Sequence, residues 1–121
     1  MLNRRTMITM LLAGALTPAA GVVTTLAAGA QDAASAARGQ EVYTAQKCQL
    51  CHAVAGKGNK LNPLDGVGAK LSAADIREWI LKPTEMTAKA KSTKKPPMPG
   101  KYAGLPAADV DALVAYLQSL K

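Results

Sequence analysis

Apolar residues fall into four blocks along the chain. In the first, from Met7 to Ala30, no residue is charged. In the second, Gly39, Val42 and Tyr43 stand at i, i+3 and i+4, which predicts a helix from about Ser35 to Gln46. Gln31 to Ala37 reads as a polar, Ala-rich entry to it. Gly39 inside a helix costs about 1 kcal/mol against Ala. Close approach of another helix would offset that cost; otherwise Gly39 marks a late helix start. The third block is a helix opened at Ser72. Ser72-Ala73-Ala74-Asp75 resembles a capping box with Asp in place of Glu or Gln, and Leu71 and Ile76 occupy the staple positions. Ile76, Trp79 and Ile80 form its apolar face, and Pro83 ends it. In the fourth, Val110, Leu113, Val114, Leu117 and Leu120 make a helical stripe. Pro106 suits the first turn of that helix, Asp109 and Asp111 suit the N-terminal end of its dipole, and Tyr116, beside the stripe, can pack on Gly39.

Between the blocks the chain is polar. Ala53 to Leu61 contains Gly56-Lys57-Gly58-Asn59-Lys60 and reads as a solvated loop; it does not fit the phosphate-binding loop pattern. Asn62 to Gly68 is turn-rich but includes two buried-type residues, Leu64 and Val67. Thr84 to Tyr102 is Lys- and Pro-rich, which would ordinarily mean a disordered linker.

Length and composition narrow the picture. A chain of 121 residues holds one small domain at most. Asn3-Arg4-Arg5 is a short basic segment ahead of the uncharged block, and Ala28-Gly29-Ala30 offers the small-x-small pattern of a signal-peptidase site. The expected division is a cleaved export signal at 1–30 and a domain at 31–121, placing the protein in the periplasm. An uncleaved anchor is the alternative, since the block is long enough to span a bilayer, although Gly14, Pro18, Gly21 and Gly29 dilute it. Residues 31–121 carry 13 basic side chains (15 less Arg4 and Arg5) against 8 acidic, a net +5. With no nucleic-acid motif and 3% aromatic residues, the basic balance favours acidic protein partners over nucleic acid. The chain has no Phe. A core this thin in a domain this small usually needs a staple.

Cys48-Gln49-Leu50-Cys51-His52 supplies one. It contains both cysteines and the only histidine, in the C-x-x-C-H order of c-type haem attachment. Two thiols at this spacing can add to the two vinyl groups on one edge of a porphyrin, and the adjoining His52 then lies under the iron as proximal ligand. A structural zinc site needs about four Cys/His-type ligands, and three are available. Redox chemistry of a thioredoxin-like C-x-x-C is the remaining alternative. A ligating histidine usually donates its second ring N–H to a carbonyl; the Pro63 carbonyl is the candidate, against an ordinary turn proline. For the opposite face, Met98 is held in Pro96-Pro97-Met98-Pro99, where each proline fixes φ and restricts its predecessor. That makes it a better thioether ligand than Met86, which reads as gap-filling core. Trp79 either donates its indole N–H to a haem propionate or is a core residue.

Residues 36–121 resemble a class I c-type cytochrome of the small monohaem bacterial periplasmic type. The resemblance rests on Gly39-x-x-Val42-Tyr43, Cys48-x-x-Cys51-His52, Pro63-Leu64, Met98-Pro99 and Ala115-Tyr116-Leu117. It implies an all-α fold, three to four helices wrapped around one covalent haem c, with the terminal helices crossing near Gly39 and Tyr116. It implies thioethers at Cys48 and Cys51, His52 and Met98 as axial ligands, the Pro63 carbonyl as the partner of His52, and Leu64 packed on the haem face. Asn62 departs from the Gly that many members have before the proline, and Pro106 from the usual Ser.

Two functions follow from this reading. One is a non-enzymatic electron carrier cycling Fe(III)/Fe(II), whose lysines around Met98 steer it to redox partners with acidic docking surfaces. The other is a dedicated cytochrome subunit of a periplasmic oxidoreductase, for instance a dehydrogenase or a sulfur-oxidising complex. A peroxidase would want a distal base such as a second His, and a four-helix gas binder would carry C-x-x-C-H near its C-terminus rather than early.

Overall fold

A computed structural model describes the backbone of residues 23–121 and the side chains of residues 29–121. The expected export signal lies largely outside the described residues, and Met1, Met7 and Met10 lie outside them entirely. Helix α1 runs Val23–Ala45, beginning well before the expected Ser35. The reason is local: the segment is Ala-rich, Ala is the best helix former, and no proline falls between Pro18 and Pro63. Lys47 then adopts a left-handed conformation (φ 56°) and turns the chain into a 3-10 turn at Cys48–Leu50. Lys47 N–H donates to the Thr44 carbonyl at 3.0 Å, satisfying one of the last open carbonyls of α1.

The segment expected to be a loop is a minimal hairpin. Strands β1 (Ala53–Val54) and β2 (Lys57–Gly58) pair antiparallel through Ala55 and Gly56, both at positive φ, as a two-residue primed turn requires. Two-residue strands are too short to leave an alternating pattern. Next comes α2, Val67–Lys70, a single turn within a stretch that reads only as turn-rich.

Helix α3 spans Ala73–Leu81, with Ser72 as N-cap and both halves of the capping box in place. Pro83 ends it and also opens α4, Pro83–Lys89, because the first turn of a helix tolerates a missing N–H. The sequence therefore hides a helix behind a stop signal. A 3-10 turn at Gly100–Gly104 precedes α5, Ala107–Ser119, with Pro106 at its N-cap. The fold is all-α as expected, with five helices among the described residues rather than three to four.

Helices α1 and α5 pack directly. A Cβ at Gly39 would overlap the Ala112 carbonyl and the Tyr116 Cβ, so Gly39 does permit a close crossing. Tyr43 and Tyr116 meet edge to face there, ring centres 5.6 Å apart, and Arg38 pairs with Asp109 at 3.0 Å. Gly68 in α2 plays the same part against the far end of α5: a Cβ would overlap the Gln118 carbonyl, and Gly68 N–H donates to Leu120 O at 2.8 Å. Arg77 and Asp111 join α3 to α5. The core gathers Val42, Tyr43, Ile76, Ile80 and Tyr102 against Val110, Leu113, Val114, Tyr116 and Leu117. Among the described residues no helix is long and apolar enough to cross a membrane.

Candidate functional site

One side of this core opens into a cavity of about 550 Å³, within the range of roughly 300–1,000 Å³ typical of small-molecule sites. All seven residues singled out from the sequence line it: Cys48, Cys51, His52, Pro63, Leu64, Trp79 and Met98. The turn after α1 delivers the two thiols. Cys48 is half-buried and packs against the core, and burial pushes its thiol pKa up to about 11. Cys51 is exposed.

His52 is held from behind. Its Nδ1 lies 3.1 Å from the Asn62 carbonyl. A carbonyl can only accept, so Nδ1 carries the proton and Nε2 keeps its lone pair for a ligand. Burial lowers the imidazole pKa, opposed by the Asn62 contact and helped by Lys94, which favours the neutral, ligating form. The partner is therefore Asn62 and not Pro63. The cause lies in a parallel bridge between Ala53 and Pro63. There Ala53 N–H donates to Asn62 O at 3.3 Å and Leu64 N–H donates to Ala53 O at 2.8 Å. Successive carbonyls of an extended segment point opposite ways, so Asn62 O faces the 52–53 peptide and Pro63 O faces away. Pro63 instead lines the cavity, and Leu64 both lines it and packs on the core. Gly58, at φ 105°, lets the hairpin close over the other side of this turn: a Cβ there would overlap the His52 carbonyl.

A second wall comes from the segment after α4. Pro96, Pro97, Met98 and Pro99 all line the cavity, and Met98 is half-buried against the core. Ser92 N–H to Thr87 O at 3.0 Å anchors the start of the segment. Lys94 crosses to the proximal side, its Nζ donating to Leu61 O at 3.1 Å. Met86 takes the role of core filler: it is buried within α4 and does not line the cavity. Trp79 is half-buried on the cavity wall. Tyr102 was not anticipated. It is buried and lines the cavity, and its position four residues past Met98 was the only available signal.

The donors fit a covalently held haem. Two thiols, one oriented imidazole and one thioether converge on a cavity to which Leu, Ile, Val and Pro side chains contribute half of the remaining wall, with Tyr43, Trp79 and Tyr102 beside them. Thiols of this spacing suit the vinyl edge, and imidazole and thioether are an axial pair found on haem iron. In the comparisons, the family model described as cytochrome c matches residues 36–121. No curated protein and no solved structure gives a significant match.

Proposed function

The chain belongs to the cytochrome c family, and from that premise we propose that it is a periplasmic electron carrier whose haem is ligated by His52 and Met98. Family membership carries the coarser statement, that it is a haem-based electron-transfer protein with one covalent haem c and with redox partners. When bound, that group supplies a one-electron Fe(III)/Fe(II) couple. The observation supporting the finer reading is that His52 and Met98 line one cavity, each restrained by its own segment. Asn62 O fixes the imidazole tautomer, and three prolines stiffen the backbone around the thioether. A neutral thioether favours ferrous iron relative to a second imidazole. With His52 and Met98 both holding the iron, an exogenous ligand would have to displace Met98 to bind.

The periplasmic assignment rests on Asn3-Arg4-Arg5, the uncharged stretch Met7 to Ala30 and the Ala28-Gly29-Ala30 site. It agrees with the use of both cysteines in an oxidising compartment. The acidic character of the partners rests on the net +5 of residues 31–121.

The axial pair is tested by the near-infrared sulfur-to-iron absorption of the oxidised holoprotein. Met98→Ala should abolish the band and Met86→Ala should leave it. Survival of the band without Met98 would overturn the distal assignment. Ready binding of CO to the reduced wild type would argue against a closed electron carrier.

A further inference from the structure

The segment that carries Met98 is tied to the rest of the molecule at few points. Among the described residues, 93–98 make no backbone–backbone hydrogen bond, and Pro96, Pro97 and Pro99 have no N–H to give. Lys94 N–H reaches only Ser92 Oγ, inside the segment, at 3.4 Å. Upstream the chain turns at Lys91, whose φ of 49° is left-handed and disfavoured for a residue with a Cβ. Apart from the apolar packing of Met98 on the core, one tie crosses to the opposite side of the cavity. It is Lys94 Nζ, which donates to Leu61 O at 3.1 Å.

The post on which Lys94 closes is fixed. Leu61 N–H donates to Asn59 Oδ1 at 3.0 Å. The next carbonyl, Asn62 O, accepts from His52 Nδ1 at 3.1 Å and from Ala53 N–H at 3.3 Å. The successive carbonyls of Leu61 and Asn62 thus take the ammonium of the Met98 segment and the ring N–H of His52. The charge of Lys94 also reaches the imidazole and helps to keep it neutral. With the post bonded on both sides, opening the cavity has to move the Met98 segment. Lys91 stands at its hinge, and the prolines keep the part around Met98 stiff.

We infer that Lys94 is the latch of a flap, residues 92–98, whose closure on Leu61 O holds Met98 over the cavity and keeps small neutral ligands from the iron. This rests on the reading of Met98 as axial ligand and adds what sets the lifetime of that ligation. Lys94 acts through Met98 and is a positioning residue. Its neighbour Lys95 is also exposed and takes no part in the Leu61 contact, so the two lysines separate a tether from a charge.

The test mixes ferric holoprotein with imidazole, a small neutral ligand, and follows loss of the near-infrared sulfur-to-iron band in stopped flow. The reaction reads the opening of the flap, as a plateau rate where opening is slow, or as the slope against imidazole where closure outruns binding. Lys94→Ala should raise that rate about two- to tenfold, the weight of one hydrogen bond. Lys95→Ala, the same change in size and charge, should stay near wild type. Lys94→Arg keeps a donor and should return most of the way to wild type. The denaturant midpoints of the two alanine variants should agree, which distinguishes a latch from a general loosening. The latch is overturned if the two alanine variants react at the same rate, or if Lys94→Arg is as fast as Lys94→Ala. It is overturned also if the faster reaction comes with a matching loss of midpoint. In each of these cases a band that Met98→Ala still abolishes leaves the axial reading standing. A band that survives Met98→Ala ends the axial reading and the latch together.

Discussion

Two methionines show how residues of one kind divide between a cavity wall and the core. Met86 is buried in a helix, where its truncation removes core volume, and Met98 lines the cavity from a segment without helical structure. Met86→Ala should lower unfolding stability by about 2–5 kcal/mol while leaving the visible spectrum unchanged. Met98→Ala should do the reverse, moving the spectrum with a smaller loss in denaturant midpoint. Equal losses of stability would sink that division of labour. Gly39 poses a sharper contest. Gly39→Ala gains about 1 kcal/mol of helix propensity, but its methyl would overlap the Ala112 backbone, which cannot move aside as a flexible side chain would. Overpacking costs about 1–3 kcal/mol, so the net effect should be destabilising, read as a lower melting temperature of the holoprotein. At this scale much of the cavity wall was legible, Cys48, Cys51 and His52 from their order and Met98 from its prolines, since all four line it, and the close crossing at Gly39 was legible from its cost. The Asn62 carbonyl was not, because carbonyl direction depends on a bridge between Ala53 and Pro63 that leaves no mark on side-chain pattern.

Elements follow their end signals when those signals are unambiguous. Ser72 accepts from Asp75 N–H at 3.1 Å, and the Asp75 carboxylate accepts in return from Ser72 N–H at 3.3 Å. Ser72→Ala should cost about 1 kcal/mol. Its pH dependence has a definite sign. The Ser72 side-chain and backbone contacts hold the Asp75 carboxyl below its ordinary pKa. A depressed carboxylate stabilises above its unfolded pKa of about 3.9 and loses that contribution as pH falls through the folded value. The stability gap between wild type and Ser72→Ala should therefore be full at neutral pH and shrink below about pH 4. A gap that is constant down to pH 2.5 in thermal melts would exclude the Asp75 half of the cap. Where signals conflict, the pattern misleads. Pro83 stops α3 and starts α4, so one residue conceals a boundary between two helices. Between Val23 and Ser35 no proline intervenes, so α1 extends upstream through the Ala-rich entry.

The whole molecule explains why the attachment turn matters to the fold as well as to function. Pattern alone located the segments that became α1, α3 and α5, because α1 and α3 each bury an apolar face on α5. It could not give the cavity, whose walls come from segments as distant as Cys48 and Leu117. Nor could it give the Asn59 side chain that donates to Leu50 O and accepts from Leu61 N–H, a bridge that depends on the hairpin returning to the turn. These are consequences of chain path, visible only when loops are in place. Among the described residues no large side chain lies below 2% exposure, and Tyr43, Ile76, Ile80, Leu113 and Leu117 all contribute to the cavity wall. Those residues need the cofactor as a packing partner. A void of about 550 Å³, at about 24 cal/mol per Å³, would cost roughly 13 kcal/mol, an upper bound because the cavity opens to solvent. Even half of that consumes most of the roughly 5–15 kcal/mol by which a domain is stable. The Cys48→Ala/Cys51→Ala protein, produced without haem, should keep part of its far-ultraviolet helical signal and show no cooperative thermal transition. The holoprotein should melt in one step. A cooperative melt of the haem-free variant within about 10 °C of the holoprotein, a shift corresponding to only 1–3 kcal/mol for a domain of this size, would mean that α1, α3 and α5 suffice on their own.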